Sequence, residues 1–282
     1  MSESAVYRPH PEDPARATLL SETAVGAWAG LQAQRFELVS RGDFVPGMLY
    51  RSEASDPESG SGSPLLLIQH QTAGASDAAC LSCAAPWVKR GLAVASIDLP
   101  LHGTRSSPKL SARLFDGIRR VATGDELDLD TGALVEEFAR QTTSDLIRTL
   151  DALCAVPGID GQRIGFMGFG LGAVAGAYLL AHDPRPRAAV LALVGGGRGP
   201  ASLDPLTYLA QAKSVRADSD AGREILVVAA EDDERVTRSD VDALFKAAPE
   251  PKELLRFSGD PRALPKQTLS TIGAFLSKAL DF

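Results

Sequence analysis

The sequence predicts an α/β fold on a mostly parallel, doubly wound sheet. Two observations carry that prediction. Short unbroken apolar runs recur at Leu65–Ile68, Leu92–Ile97, Ile164–Met167, Ala188–Val194 and Ile225–Val228. A strand covered on both faces reads as a continuous apolar run rather than as an alternation. Stretches with helical spacing separate these runs, which makes βαβ units and therefore parallel pairing. The size agrees. The chain has 282 residues, 44% apolar and 23% charged. Such a chain can bury a sizeable core and is neither a disordered chain nor a coiled-coil rod.

The elements follow in order. Met1–Pro14 reads as a leader, and the apolar spacing over Ala15–Leu31 predicts a helix. Phe36–Val39 and Phe44–Tyr50 read as strands around the turn Arg41-Gly42-Asp43, and Ser52–Ser63 as a loop. The run Leu65–Ile68 precedes a helix near Ala78–Arg90, and Leu92–Ile97 is the next strand. Leu101–Phe138 is polar and mixed and is expected to form a small helical lid. Ile164–Met167 leads into a helix over Leu171–His182. A short helix is expected around Pro205–Ala212, and a last strand at Leu254–Phe257. The domain reading is a leader and helix over 1–33, then one domain over 34–282 with the lid at 101–138.

Charge and cysteines narrow the function. The formal net charge is −7, and no basic block stands out. That argues against nucleic acid and anionic membranes as partners. No apolar run reaches the ~18 residues of a membrane span. The leader lacks the basic and apolar regions of a signal peptide, so the expected location is cytoplasmic. Three cysteines, an odd number, suggest no disulfide framework. Cys80-Leu81-Ser82-Cys83 has a C-x-x-C spacing. A zinc site needs two further ligands, and the flanking alanines favour core packing instead. No cofactor or metal is expected, and the partner is a small-molecule ligand or substrate.

In a parallel sheet, ligands bind beyond the carboxyl ends of the strands. Those exits read His70-Gln71-Thr72-Ala73-Gly74, Asp98-Leu99-Pro100-Leu101-His102-Gly103, Gly168-Phe169-Gly170-Leu171-Gly172, Glu231-Asp232-Asp233-Glu234-Arg235-Val236 and Ser258-Gly259-Asp260-Pro261. With Arg163–Met167 before the glycine-rich exit, the chain resembles the α/β-hydrolase superfamily, in its dienelactone-hydrolase and bacterial serine-esterase branch. The resemblance covers most of the chain from about Phe44 onward. It implies an α/β-hydrolase fold, helices on both sheet faces, and a site at these exits.

The family's chemistry carries over only where residues match. Its nucleophile elbow is Gly-x-Ser-x-Gly, a sharp turn that exposes the serine hydroxyl. Here Gly170 stands at the serine position. Asp233 matches the acid position, with Asp232 as a close competitor, and Asp260 stands where the base histidine belongs. No histidine follows His182. Without imidazole, no base with a pKa near 7 takes and returns a hydroxyl proton. The resemblance assigns oxyanion donors to the backbone of Gln71, Thr72 and Leu171. His70 and His102 are the remaining imidazoles at strand exits, with loop-shaping as the favoured role. Gly195-Gly196-Gly197 reads as a pocket loop.

Two readings follow. One is a catalytically impaired hydrolase-like protein that binds a small molecule. The other is an enzyme of different chemistry, a lyase, cyclase, isomerase or water-mediated hydrolase, in which Asp233 and Asp260 move protons. A metal held by Asp232, Asp233 and Asp260 is the weaker form of the second.

Overall fold

The computed structural model describes residues 16–24, 30–53, 62–70, 74, 83–212, 223–261 and 263–282. Among the described residues nine strands form one sheet: β1 (Thr18–Ala24), β2 (Leu31–Ser40), β3 (Asp43–Ser52), β4 (Ser63–Gln69), β5 (Ala93–Ile97), β6 (Ile159–Phe169), β7 (Pro186–Ala192), β8 (Glu224–Ala230) and β9 (Lys252–Phe257). Their order across the sheet is β1-β2-β3-β5-β4-β6-β7-β8-β9. β1, β2 and β3 pair antiparallel, and β3 meets β5 antiparallel. From β5 to β9 every pairing is parallel, as the unbroken apolar runs predict.

The helices are α1 (Ala85–Val88), α2 (Pro108–Thr123), α3 (Leu129–Cys154), α4 (Leu171–His182), α5 (Pro205–Leu209), α6 (Arg238–Ala247) and α7 (Lys266–Leu280). They divide the core in two. Leu65 and Leu67 of β4 pack on one side of the sheet with Leu146 and Leu150 of α3 and Ala177 of α4. Leu66 and Ile68 pack on the other side with Trp87 of α1 and Ile272 and Leu276 of α7. This is the period-2 consequence of a strand buried on both faces.

The turn between β2 and β3 follows from its residues. Ser40 pairs with Asp43, which leaves Arg41 and Gly42 as the turn. Both have positive φ, 51° and 87°. That is the conformation whose twist matches a two-residue hairpin.

Three expectations change. Of the helix expected over Ala15–Leu31, Thr18–Ala24 is instead strand β1, which pairs with β2 from Thr18↔Glu37 to Ala24↔Gln32, and residues 15 and 25–29 lie outside the described residues. The apolar spacing there is compatible with a helix, but pairing with an open strand edge overrides so weak a local preference. The lid segment has no boundary at Phe138, because the 26-residue helix α3 runs unbroken through that position into the main layer. Helices α6 and α7 add to the expected set. Both have readable signals: Thr237 and Asp240 form a capping box, and Leu269, Ile272, Leu276 and Leu280 repeat at helical spacing. Of the helix expected near Ala78–Arg90, Ala85–Val88 is helical and 78–82 lie outside the described residues.

Candidate active site at the carboxyl edge

The turn from β6 to α4 is built from one residue. Gly170 N–H donates to Ala192 O at 2.8 Å, extending the β6–β7 ladder. Its carbonyl accepts from Ala173 and Val174 N–H at 3.0 and 3.1 Å, which starts α4. One residue is thus both strand end and helix cap. It sits at φ 51°, ψ −111°, a region that strains any residue with a Cβ. Its neighbours must be glycine for a different reason. A Cβ on Gly168 would stand 2.3 Å from Gly172 O, and one on Gly172 would stand 2.4 Å from Gln69 O. The backbone of a tight strand-to-helix turn is therefore complete, with glycine at the position where the resemblance expects a serine.

Leu171 and Gly172 open α4, so their N–H groups have no acceptor within the helix. Partial positive charge collects at such an end. Leu171 is where the resemblance places an oxyanion donor. Gln71 and Thr72, the other expected donors, lie outside the described residues.

Asp233 and Asp260, the residues that the resemblance sets at the acid and base positions, lie on adjacent loops. Glu231 N–H donates to Phe257 O at 2.8 Å, and Ser258 Oγ donates to Glu231, so the exits of β8 and β9 run side by side. Asp233 Oδ1 accepts from Arg235 N–H at 2.9 Å and Val236 N–H at 3.4 Å. Its carboxylate is only 4% exposed and shapes its own turn. Asp232 and Asp260 are exposed.

His70 and His102 come together. Their ring centroids are 5.4 Å apart, and both are buried. His102 is further enclosed by Phe115 of α2 at 4.8 Å and Phe138 of α3 at 5.8 Å. Burial lowers the His102 pKa to about 4, against the hydrogen bond to Pro100 O that raises it. A base that weak is a poor proton acceptor at neutral pH.

The exit of β5 holds a polar network that the sequence does not reveal. Asp98 Oδ2 accepts from Thr104 N–H at 2.8 Å and Thr104 Oγ1 at 2.7 Å. Arg105 donates to Asp98 O at 3.0 Å and to Asp145 Oδ2 at 2.7 Å. Gln141 Nε2 donates to Asp145 Oδ1 at 2.7 Å. Burial pushes the Asp145 carboxyl up, against the pull of Arg105. In the sequence Asp98 is only part of a strand exit, and Arg105 and Asp145, forty positions apart, carry no shared signal.

The glycine loop after β7 is tightly packed. Gly196 N–H donates to Asp240 O at 3.1 Å and Gly197 N–H to Asp204 Oδ2 at 2.6 Å. A Cβ on Gly195 would stand 2.5 Å from the Asp240 Cβ. Clefts open elsewhere among the described residues. One, of about 430 Å³, lies between Val121, Leu127, Glu136 and Arg198. Another, of about 400 Å³, lies between Phe44, Leu110, Leu134 and Phe138. None of Gly170, Asp233, Asp260, His70 or His102 lines either cleft. Among the described residues no group of three or more His, Cys, Asp or Glu side chains could hold a metal ion, and no helix is long and apolar enough to cross a membrane. Cys83 packs at the edge of the core, as expected, and Cys80 lies outside the described residues.

No protein-family model and no curated protein matches the chain. Solved structures do. A cold-adapted esterase from an Arctic intertidal metagenomic library is 21% identical, with a TM-score of 0.68, and the match covers 93% of this chain and 100% of that one. An acetyl xylan esterase from a Paenibacillus species is 16% identical, with a TM-score of 0.72, over 95% of this chain and 90% of that one. A Klebsiella pneumoniae protein assigned as a dienelactone hydrolase is 16% identical, with a TM-score of 0.59, over 88% of this chain and 99% of that one. The strand order, the single-residue elbow and these likenesses agree: the chain has the α/β-hydrolase fold.

Proposed function

We propose that this chain is a catalytically impaired hydrolase-like protein that binds a small molecule at the carboxyl edge of its sheet. The observation that carries the reading is Gly170. An acyl-enzyme needs a nucleophilic side chain at the elbow, and glycine has none. The base position supports it, because Asp260 is an exposed carboxylate where a histidine would return the proton. What remains suits binding. The Leu171 and Gly172 N–H groups at the start of α4 favour a carbonyl or carboxylate oxygen.

A second reading is an enzyme of another class, a lyase, cyclase, isomerase or water-mediated hydrolase, that uses Asp233 and Asp260. The hydrogen bond from Glu231 to Phe257, which joins their two loops, favours it. It has to contend with Asp233 already being engaged in its own turn.

One experiment separates the two. Turnover of short p-nitrophenyl esters is compared for the unaltered protein, Asp233→Asn and Asp260→Asn, alongside labelling by a fluorophosphonate. The first reading expects buffer-level turnover and no label. Turnover that either substitution removes would hand the site to the carboxylates. Labelling of the unaltered protein would show a nucleophile outside Gly170 and sink both readings.

A further inference from the structure

Three side chains in the layer between the sheet and α3 hold polar atoms without a partner among the described residues. They are both amide atoms of Gln69, Nε2 of His102 and Oγ1 of Thr142. Their residues are 0%, 1% and 0% exposed. Buried polar groups are nearly always paired, so each of these needs an explanation.

The three share one region. Gln69 continues the alternation of Leu65 and Leu67, which face α3 and α4. Thr142 lies on the core-facing stripe of α3, one turn beyond Phe138 and one turn before Leu146. The His102 ring lies against Phe138. The layer also abuts the elbow, since Gly172 in the first turn of α4 lies close against the carbonyls of Gln69 and His70.

Their chemistry is selective. Nδ1 of His102 lies 2.8 Å from Pro100 O. A carbonyl only accepts, so Nδ1 carries the hydrogen and Nε2 is left as a bare acceptor. Gln69 and Thr142 each donate and accept. Burial keeps His102 neutral above about pH 4, so the set has no charge with which to select an ion. A neutral molecule that donates and accepts at once, and is small enough to be enclosed, fits this set. Water does so when offered roughly two to four polar partners.

We propose that Gln69, His102 and Thr142 form a buried hydration site that holds ordered water in the layer beside the elbow. The test has two parts. A room-temperature crystal structure of the full chain at high resolution should show water peaks within hydrogen-bond distance of Thr142 Oγ1 and Gln69. Urea unfolding of Thr142→Val then gives a sign. In a hydrated site valine removes a partner from the water, and the midpoint falls. In a dry site valine removes an orphaned hydroxyl, and the midpoint rises. Gln69→Leu should move the midpoint the same way as Thr142→Val. Absence of water peaks in the unaltered protein, or a raised midpoint in the valine variant, would overturn the proposal.

Discussion

The elbow after β6 and the corner after β5 are two strand exits on the same edge of one sheet, and they are built in opposite ways. At the elbow, Gly168, Gly170 and Gly172 let backbone meet backbone, with no polar side chain on any of the three. At the corner, Asp98, Arg105, Gln141 and Asp145 interlock through charged and neutral hydrogen bonds. The corner network is buried, and its charges hold β5, the following 3-10 turn Gly103–Arg105 and α3 in register. The difference shows where polar chemistry is used in this protein. It fastens structure at the corner, while the turn after β6 is shaped by backbone contacts alone.

The sharpest way to break that contrast is to give the elbow its chemistry back. On the proposed reading, Gly170→Ser alone should leave ester turnover near buffer, because position 260 carries no imidazole. Adding Asp260→His should raise turnover by about 100-fold or more over the single variant, since losing a triad member typically costs at least that. Assays of p-nitrophenyl acetate hydrolysis check it. Strong activity in Gly170→Ser alone would mean that another group already serves as base, and that the elbow is less empty than it looks.

The corner should respond in stability instead. Asp145→Ala takes from Arg105, whose side chain is 10% exposed, its carboxylate partner at 2.7 Å and leaves the exposed Asp43 at 3.9 Å. Removing one partner of a buried pair costs about 3–5 kcal/mol. Urea unfolding at neutral pH measures it. A loss below ~1 kcal/mol, the range of exposed pairs, would mean that the network adds little.

His102, in the loop after β5, makes stability depend on pH. Its pKa falls from 6.5 to about 4 on folding. The folded state therefore favours the neutral ring, so this contribution is fully present above pH 6.5. It is lost as the pH falls toward 4 and is flat below that. The gap corresponds to about 3 kcal/mol. Unfolding free energies between pH 7 and 4 should show that loss, and His102→Asn should flatten the slope.

The smallest effect serves as a control away from both regions. Gly42 has φ 87°, and a Cβ added there would meet no heavy atom within 4 Å, so Gly42→Ala tests conformation alone. It should cost about 1 kcal/mol in urea and leave ligand binding unchanged.

Much of this is legible in the sequence. Leu171–His182 is helical over the span that its spacing predicts. The apolar runs at Leu65–Ile68 and Ile225–Val228 lie inside β4 and β8. The motif alone places Gly170 at the elbow, and the backbone there has the positive φ that such a turn needs. Thr18–Ala24 is not legible, because a short, weakly patterned segment takes its conformation from the strand beside it. The burial of His102 is not legible either, because Phe115 and Phe138 reach it from two different helices.

By itself, the sequence determined the order of most strands and helices, the glycine at the elbow and the lack of any histidine after His182. These are local properties: periodicity, turn chemistry and the presence or absence of a functional group at a position. Only the tertiary structure decided that Arg105 meets Asp145, that Asp233 is engaged by its own turn and that Gln69, His102 and Thr142 are each buried with an unpaired polar atom. Those outcomes depend on which surfaces the sheet and helices press together, and packing between distant segments leaves no mark in the spacing of either one.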